Sequence, residues 1–171
     1  MNGEYEIDTL EIVPYQDKYK SDFERLNREW IEEFFKMEDE DFHTLQHPES
    51  YVIAKSGEIF FALLDQEVIG TAAMIPTSDK VFELAKMAVR KDVQGRGVGK
   101  LLLERCISFA KERKALEIFL LTNDVLKPAL NLYLSTGFVL NHEYDDERYE
   151  RGNTKMNLIL TKKQKTSELN L

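Results

Sequence analysis

Gln94-Gly95-Arg96-Gly97-Val98-Gly99-Lys100 brings an amide, three glycines and two fixed cations into consecutive positions. Those residue types suit the backbone of a polyanion. Glycine tolerates positive φ and lets the chain approach a ligand closely. Strand-like Val81–Val89 precedes the stretch, and a helix-like segment at 101–110 follows it. The first amides of such a helix have no intrahelical partner and face the loop, where the helix dipole adds positive potential. A phosphate or pyrophosphate is the expected ligand. A glycine-rich turn with no ligand is the alternative.

Spacing separates the phosphate loops. A P-loop needs G-x-x-x-x-G-K-[ST]. Lys100 does follow Gly99, but Gln94 stands where the first glycine belongs and Leu101 replaces the Mg-binding hydroxyl. A dinucleotide fingerprint needs G-x-G-x-x-G, whereas Gly95, Gly97 and Gly99 place the third glycine one residue early. The pattern that fits is Q/R-x-x-G-x-G/A, carried by Gln94, Gly97 and Gly99. Downstream, Ala129-Leu130-Asn131-Leu132-Tyr133-Leu134-Ser135-Thr136-Gly137-Phe138 resembles an A-x-x-L-Y-x-x-x-G-F segment. In that order, with a helix and a strand between them, the two motifs resemble the GNAT N-acetyltransferase superfamily. The resemblance covers residues 58–143 and extends to Leu26-Asn27-Arg28-Glu29-Trp30-Ile31 and Glu38-Asp39-Glu40-Asp41. These resemble a branch sometimes fused behind a MarR-type DNA-binding domain, which this sequence does not contain.

The resemblance implies acetyl-CoA as co-substrate. Gln94, Gly95, Arg96, Gly97, Val98, Gly99 and Lys100 would hold its pyrophosphate. The backbone of Met87, Ala88 and Val89 would pair with the pantetheine arm, with a bulge directing an N–H, that of Met87, at the thioester oxygen. Transfer to an amine needs a base, because an alkyl ammonium titrates at about 10, and an acid for the departing thiolate. Glu83 is the candidate base; a glutamate facing solvent is the alternative. Tyr133 is the candidate acid, since a phenol stays protonated at neutral pH; a tyrosine packed between helix and sheet is the alternative. Direct attack needs no covalent intermediate, so Cys106 is read as a small buried hydrophobe. Many relatives carry an Asn seven residues before this Tyr. Leu126 stands there, which leaves Asn123 as the substitute contact to pantetheine. Trp30, Phe34, Tyr149 and Arg151 are the acceptor candidates, Arg151 as a bidentate fork for a carboxylate or as plain surface.

These groups must be held by elements the hydrophobic pattern outlines. Residues 9–15 read as a strand and 17–36 as an amphipathic helix, with Tyr19, Phe23, Leu26, Trp30 and Phe34 at helical spacing and mostly core. Residues 38–50 read as acidic and irregular, broken at Pro48. Residues 58–64 and 68–75 form a hairpin around Asp65-Gln66-Glu67, and a third strand runs to Val89. Then follow the loop, a helix striped with Val98, Leu101, Leu102, Cys106 and Phe109, a strand at 117–122, a short helix at 126–135, and strands at 138–143 and 155–160. The expected fold is α/β (α+β mixed), a mixed, mostly antiparallel twisted sheet with helices on both faces, as in GNAT proteins. One domain over 1–161 and a polar tail at 162–171 are expected.

Composition sets further bounds. The chain has 171 residues, 43% hydrophobic, with a net charge of −8. That length supports one sizeable core, and that charge disfavours nonspecific nucleic-acid binding. Arg90, Lys91 and Lys100 form a local basic island around the loop. The acidic N-terminus does not read as a signal peptide, and no apolar run approaches a membrane span. One cysteine excludes an intramolecular disulfide. His43 and His47 share an i, i+4 spacing, but no further ligand completes a metal site. The expectation is a cytoplasmic acetyl-CoA-dependent N-acetyltransferase acting on a small primary amine, with no metal, nucleic-acid or membrane partner. A noncatalytic acyl-CoA-binding module is the alternative; a homodimer rests on the resemblance alone.

Overall fold

The computed structural model describes residues 9–142, 148 and 150–160. Tyr149 and the expected tail at 162–171 lie outside the described residues. The strands β1 (Leu10–Pro14), β2 (Glu58–Leu64), β3 (Glu67–Pro76), β4 (Val81–Val89), β5 (Glu117–Thr122), β6 (Val139–Asn141) and β7 (Thr154–Ile159) form one sheet in the order β1-β2-β3-β4-β5-β7-β6. Only β4 and β5 run parallel; the other neighbours are antiparallel. The helices are α1 (Lys20–Phe34), α2 (Asp39–Gln46), α3 (Pro48–Tyr51), α4 (Val98–Glu112) and α5 (Lys127–Thr136). This is the expected mixed, mostly antiparallel α/β sheet covered on both faces.

β2 is apolar at nearly every position because both of its faces are buried. Phe60, Ala62 and Leu64 pack with Val98, Leu102, Cys106 and Phe109 of α4. Ile59, Phe61 and Leu63 pack on the other side with Tyr19, Phe23 and Leu26. Phe109 meets Phe60 and Phe82 edge-on, at 5.7 and 5.4 Å between ring centroids. Each such ring contributes about 1.5–3 kcal/mol through burial. The β2–β3 hairpin turns at Asp65 and Gln66, both at positive φ, the geometry that matches strand twist.

Two expectations are corrected. The helix expected over 17–36 is a 3-10 turn, Asp17–Tyr19, followed by α1, which ends at Phe34. Of the five residues read as mostly core, Tyr19, Phe23 and Leu26 are buried, whereas Phe34 is 55% exposed. The acidic stretch 38–50, read as irregular, folds into α2 and α3. Glu38 and Asp41 form a capping box at the start of α2, with the Glu38 amide donating to Asp41 Oδ2 at 2.9 Å. Acids in a first helical turn are favoured by the dipole. Pro48 opens α3 rather than breaking a helix, since a first-turn proline sacrifices no hydrogen bond.

Candidate active site

The β4–β5 ladder joins Val81–Leu84 to Glu117–Leu120 and stops there. Past it a cleft of about 610 Å3 opens between the two strands. The cause lies in β4. Thr71 of β3 pairs with Ala88 and Ala73 pairs with Ala85, so Lys86 and Met87 together oppose Ala72. Lys86 takes φ 53°, left-handed for a residue that is not glycine, at about 1–2 kcal/mol. The bulge bends β4 away from β5. Among the described residues, no strand pairs with the cleft-side edge of β4 at 85–89.

One end of the cleft is the glycine-rich loop. Gln94, Gly95, Gly97, Val98, Gly99 and Lys100 line it; Arg96 is exposed beside it but is not part of the lining. Gln94 Nε2 donates to the Val89 carbonyl at 2.9 Å, tying the loop to the end of β4. Gly95 and Gly97 sit at φ 81° and 88° with open space around them, so conformation selects glycine there. At Gly99 space selects it: a Cβ would lie 3.3 Å from Leu132 Cδ2 and from Met87 Cε. Gly97 caps α4, whose first amides are unpaired within the helix. The basic island is narrower than its sequence suggests. Arg90 binds Asp92 and Glu67, each at 2.6 Å, and Lys91 binds Glu33 at 2.9 Å. Lys100 remains exposed beside the loop.

Met87, Ala88 and Val89 line the middle of the cleft together with Glu83 and Tyr133. Glu83 is 4% exposed, and its Oε2 accepts from Arg148 Nη2 at 3.0 Å. Tyr133 is buried beside Phe138, and its phenol is pushed up to about 12 by burial, with a smaller contribution from Cys106. It therefore stays protonated at neutral pH. Among the described residues its hydroxyl has no hydrogen-bond partner. Burial also pushes the Cys106 thiol up to about 12, against a small opposing effect of Arg105. With no exposed surface, Cys106 is a core residue and no nucleophile.

Trp30, Phe34, Phe35 and Arg151 line the remaining wall. Arg151 does grip a carboxylate with a fork, but the carboxylate is the chain's own. Its Nη1 and Nη2 lie 2.6 and 2.5 Å from Asp41 Oδ2 and Oδ1, and Nη1 also reaches Glu38 at 3.1 Å. The guanidinium sits 5.9 Å from the Trp30 ring centroid. Asp41 Oδ1 also accepts from Lys86 Nζ at 2.6 Å, and both side chains are buried. Burial alone would raise the Asp41 carboxyl, but the Arg151 hydrogen bonds and the Lys86 charge outweigh it and hold the group below its usual range. Burial lowers Lys86 against the pull of Asp41. Asn123 lines the cleft, yet its amide is used internally: Nδ2 donates to the Arg151 carbonyl at 2.6 Å and Oδ1 accepts from Val125 at 2.9 Å. Leu126 lines the cleft as well.

Sequence reasoning missed Glu38, Asp41, Lys86, Arg148 and Phe35. Glu38 and Asp41 carried one signal, an acid three residues after another acid at a helix start. The ion pairs close over 45 and 110 residues, and nothing local announces them. Among the described residues, no three His, Cys, Asp or Glu gather as a metal-binding group, and no helix is long and apolar enough to cross a membrane.

Comparison with known proteins places this architecture. The sequence profile of the Acetyltransferase (GNAT) family matches residues 22–138, more than half of the chain. N-acetyltransferase 8B of Homo sapiens is 28% identical over 92 residues, covering 50% of this chain and 40% of that protein. The chain spans about two fifths of the length of the mammalian curated relatives it matches. A GNAT-family acetyltransferase from Staphylococcus aureus Mu50 superposes with a TM-score of 0.82 at 23% identity, over 89% of this chain and 99% of that one. A GNAT acetyltransferase from Elizabethkingia anophelis, solved with acetyl-CoA bound, superposes at 0.60 and 20% identity, over 90% and 99%.

Proposed function

Because the chain belongs to the GNAT acetyltransferase family, we propose that it transfers the acetyl group of acetyl-CoA to a primary amine of a small molecule, by direct attack within a ternary complex. The observation that carries this reading is the cleft between the diverging ends of β4 and β5, closed at one end by the glycine loop and the start of α4. The loop amides and Lys100 suit a pyrophosphate. The open edge of β4 offers backbone groups to an amide-bearing arm, as in strand addition. Gly99 leaves room beside Met87 and Leu132 that a methyl group would fill. The Elizabethkingia protein carries acetyl-CoA in the same fold, which supports the assignment of the donor.

The residues then take consistent roles. Glu83 accepts a proton from the acceptor ammonium, directly or through water. The freed nitrogen lone pair attacks the thioester carbonyl carbon, whose oxygen takes a hydrogen bond from the Met87 amide. The C–S bond breaks, and the sulfur receives a proton from Tyr133. The acylated nitrogen gives up its second proton, which returns through water to the Tyr133 phenolate, and Glu83 releases its proton to bulk water; the products are an N-acetylated amine, free CoA thiol and one proton. The acceptor is small on this reading because it enters a bounded cleft. Membrane partners are not needed for this chemistry, and a cytoplasmic setting supplies both substrates.

Titration calorimetry with acetyl-CoA, paired with a thiol-release screen over amino acids, polyamines, aminoglycosides and peptide N-termini, tests the reading. Binding together with thiol release on an amine supports it. Binding without release on any amine would favour a noncatalytic acyl-CoA-binding module. Absence of binding would refute both.

A further inference from the structure

We infer that the acceptor is a monoamine carried on an apolar, ring-sized body, with no carboxylate beside the amine. The inference rests on the acetyltransferase reading above and adds the substrate class. It comes from how charge is disposed at the end of the cleft away from the glycine loop. Lys86 and Arg151 line the cleft, Arg148 reaches the lining residue Glu83, and each of the three already has a carboxylate from this chain. Lys86 lies 2.6 Å from Asp41, Arg151 binds Asp41 and Glu38, and Arg148 lies 3.0 Å from Glu83. Asp41 is fully buried. A substrate carboxylate would have to compete with these internal partners, and breaking a buried pair by removing one partner is costly. It would also sit close to Glu83 and Asp41 and be repelled by them.

An ammonium must displace only Arg148, the most exposed of these partners. The Glu83 carboxylate already holds a guanidinium, and the Arg148 side chain that brings it is 38% exposed. The place accepts a cationic N–H donor, and one that reaches it from solvent. A substrate ammonium offers the same chemistry and takes over that contact.

The remaining wall is apolar. Phe34 is 55% exposed at the end of α1, with Phe35 and Trp30 next to it. Trp30 and Phe35 meet edge-on at 6.4 Å. Val125, 62% exposed, adds to the lining from the turn after β5. Large apolar side chains left in water around a cleft gain from an apolar occupant. Cation–carboxylate recognition of the amine and apolar recognition of the body together describe an amphipathic monoamine.

The test compares matched amines by thiol release in the presence of acetyl-CoA: 2-phenylethylamine, phenylalanine and putrescine. The expected kcat/KM for 2-phenylethylamine exceeds that of each of the others by about tenfold or more. Phe34→Ser raises its KM several-fold while the acetyl-CoA affinity measured by calorimetry stays unchanged. Phenylalanine or putrescine turning over as well as 2-phenylethylamine would overturn the inference and leave the acetyltransferase reading intact. So would a Phe34→Ser variant with an unaltered KM. Acetyl-CoA binding with no release from any of these or the wider amine panel would overturn the acetyltransferase reading, and the inference with it.

Discussion

Replacing Asp41, buried behind the cleft wall, with Asn should destabilise the fold more than the loss of any one charge that lines the cleft. The substitution keeps the shape and removes the charge. It leaves the Lys86 ammonium, with a side chain 5% exposed, without the carboxylate now 2.6 Å away. It also turns an amide NH2 toward either Lys86 or the Arg151 fork. Breaking a buried pair in this way costs about 3–5 kcal/mol, against a total of about 5–15 kcal/mol for an ordinary domain. Lys86→Met is the informative contrast. Asp41 then keeps both Arg151 nitrogens and the Glu38 amide, so the loss should be only about 1–2 kcal/mol. Both side chains at 86 bear the same left-handed backbone, so that strain cancels. Urea unfolding followed by the fluorescence of Trp30, the sole tryptophan, reads both variants. A loss near 4 kcal/mol lowers Tm by about 8–16 °C in a domain of this size. Acid provides a second reading. The Asp41 carboxyl is held below its usual value, so its stabilisation is complete above about pH 4 and is lost as pH falls through the folded value. Asp41→Asn should lack that part of the acid limb. A loss below about 1 kcal/mol for Asp41→Asn, or a larger loss for Lys86→Met, would refute the reasoning.

Three further outcomes are expected. Tyr133→Phe should lower kcat by about 100-fold with acetyl-CoA affinity unchanged; full activity would remove Tyr133 as the acid. Glu83→Gln should depress kcat most at low pH, where the acceptor is almost wholly protonated, and an unaltered pH–rate profile would exclude Glu83 as the base. Gly97→Ala forces a side chain into φ 88° at about 1–2 kcal/mol. It should weaken acetyl-CoA binding in calorimetry, whereas equal affinity would show that the loop tolerates distortion.

The glycine loop was legible because its main signals are local: Gly95 and Gly97 answer to a conformation within the turn itself, and only Gly99 answers to distant neighbours, Met87 and Leu132. The same holds for the β2–β3 hairpin and for α4: of its expected stripe Val98, Leu102, Cys106 and Phe109 are buried, and Leu101 is half-buried. The acidic stretch at 38–50 was not legible. Its helix start is capped by two carboxylates instead of a hydroxyl and a carboxylate, and Asp41 is stabilised by Lys86 of β4 and by Arg151 from the segment before β7. Composition misled at Arg90 and Lys91, because a count of charges does not see Glu67, Asp92 and Glu33 folding back onto them. The bulge in Val81–Val89 followed from the family resemblance and not from the residues themselves, since the one that takes the left-handed turn is a lysine.

That one extra residue in β4 divides the strand into two reading frames. Before it, even positions, Phe82 and Leu84, face the α4 side of the sheet; after it, odd positions, Met87 and Val89, do so, and Ala88 faces α1. A deletion at Lys86 would therefore leave Met87 and Val89 on the α4 side and Ala88 on the α1 side, now in one uniform alternation, while removing the bend that parts β4 from β5. A β4 of the same length grafted onto this scaffold must carry the frame change with it, because uniform alternation over Val81–Val89 would turn Met87 and Val89 toward α1 and Ala88 toward α4.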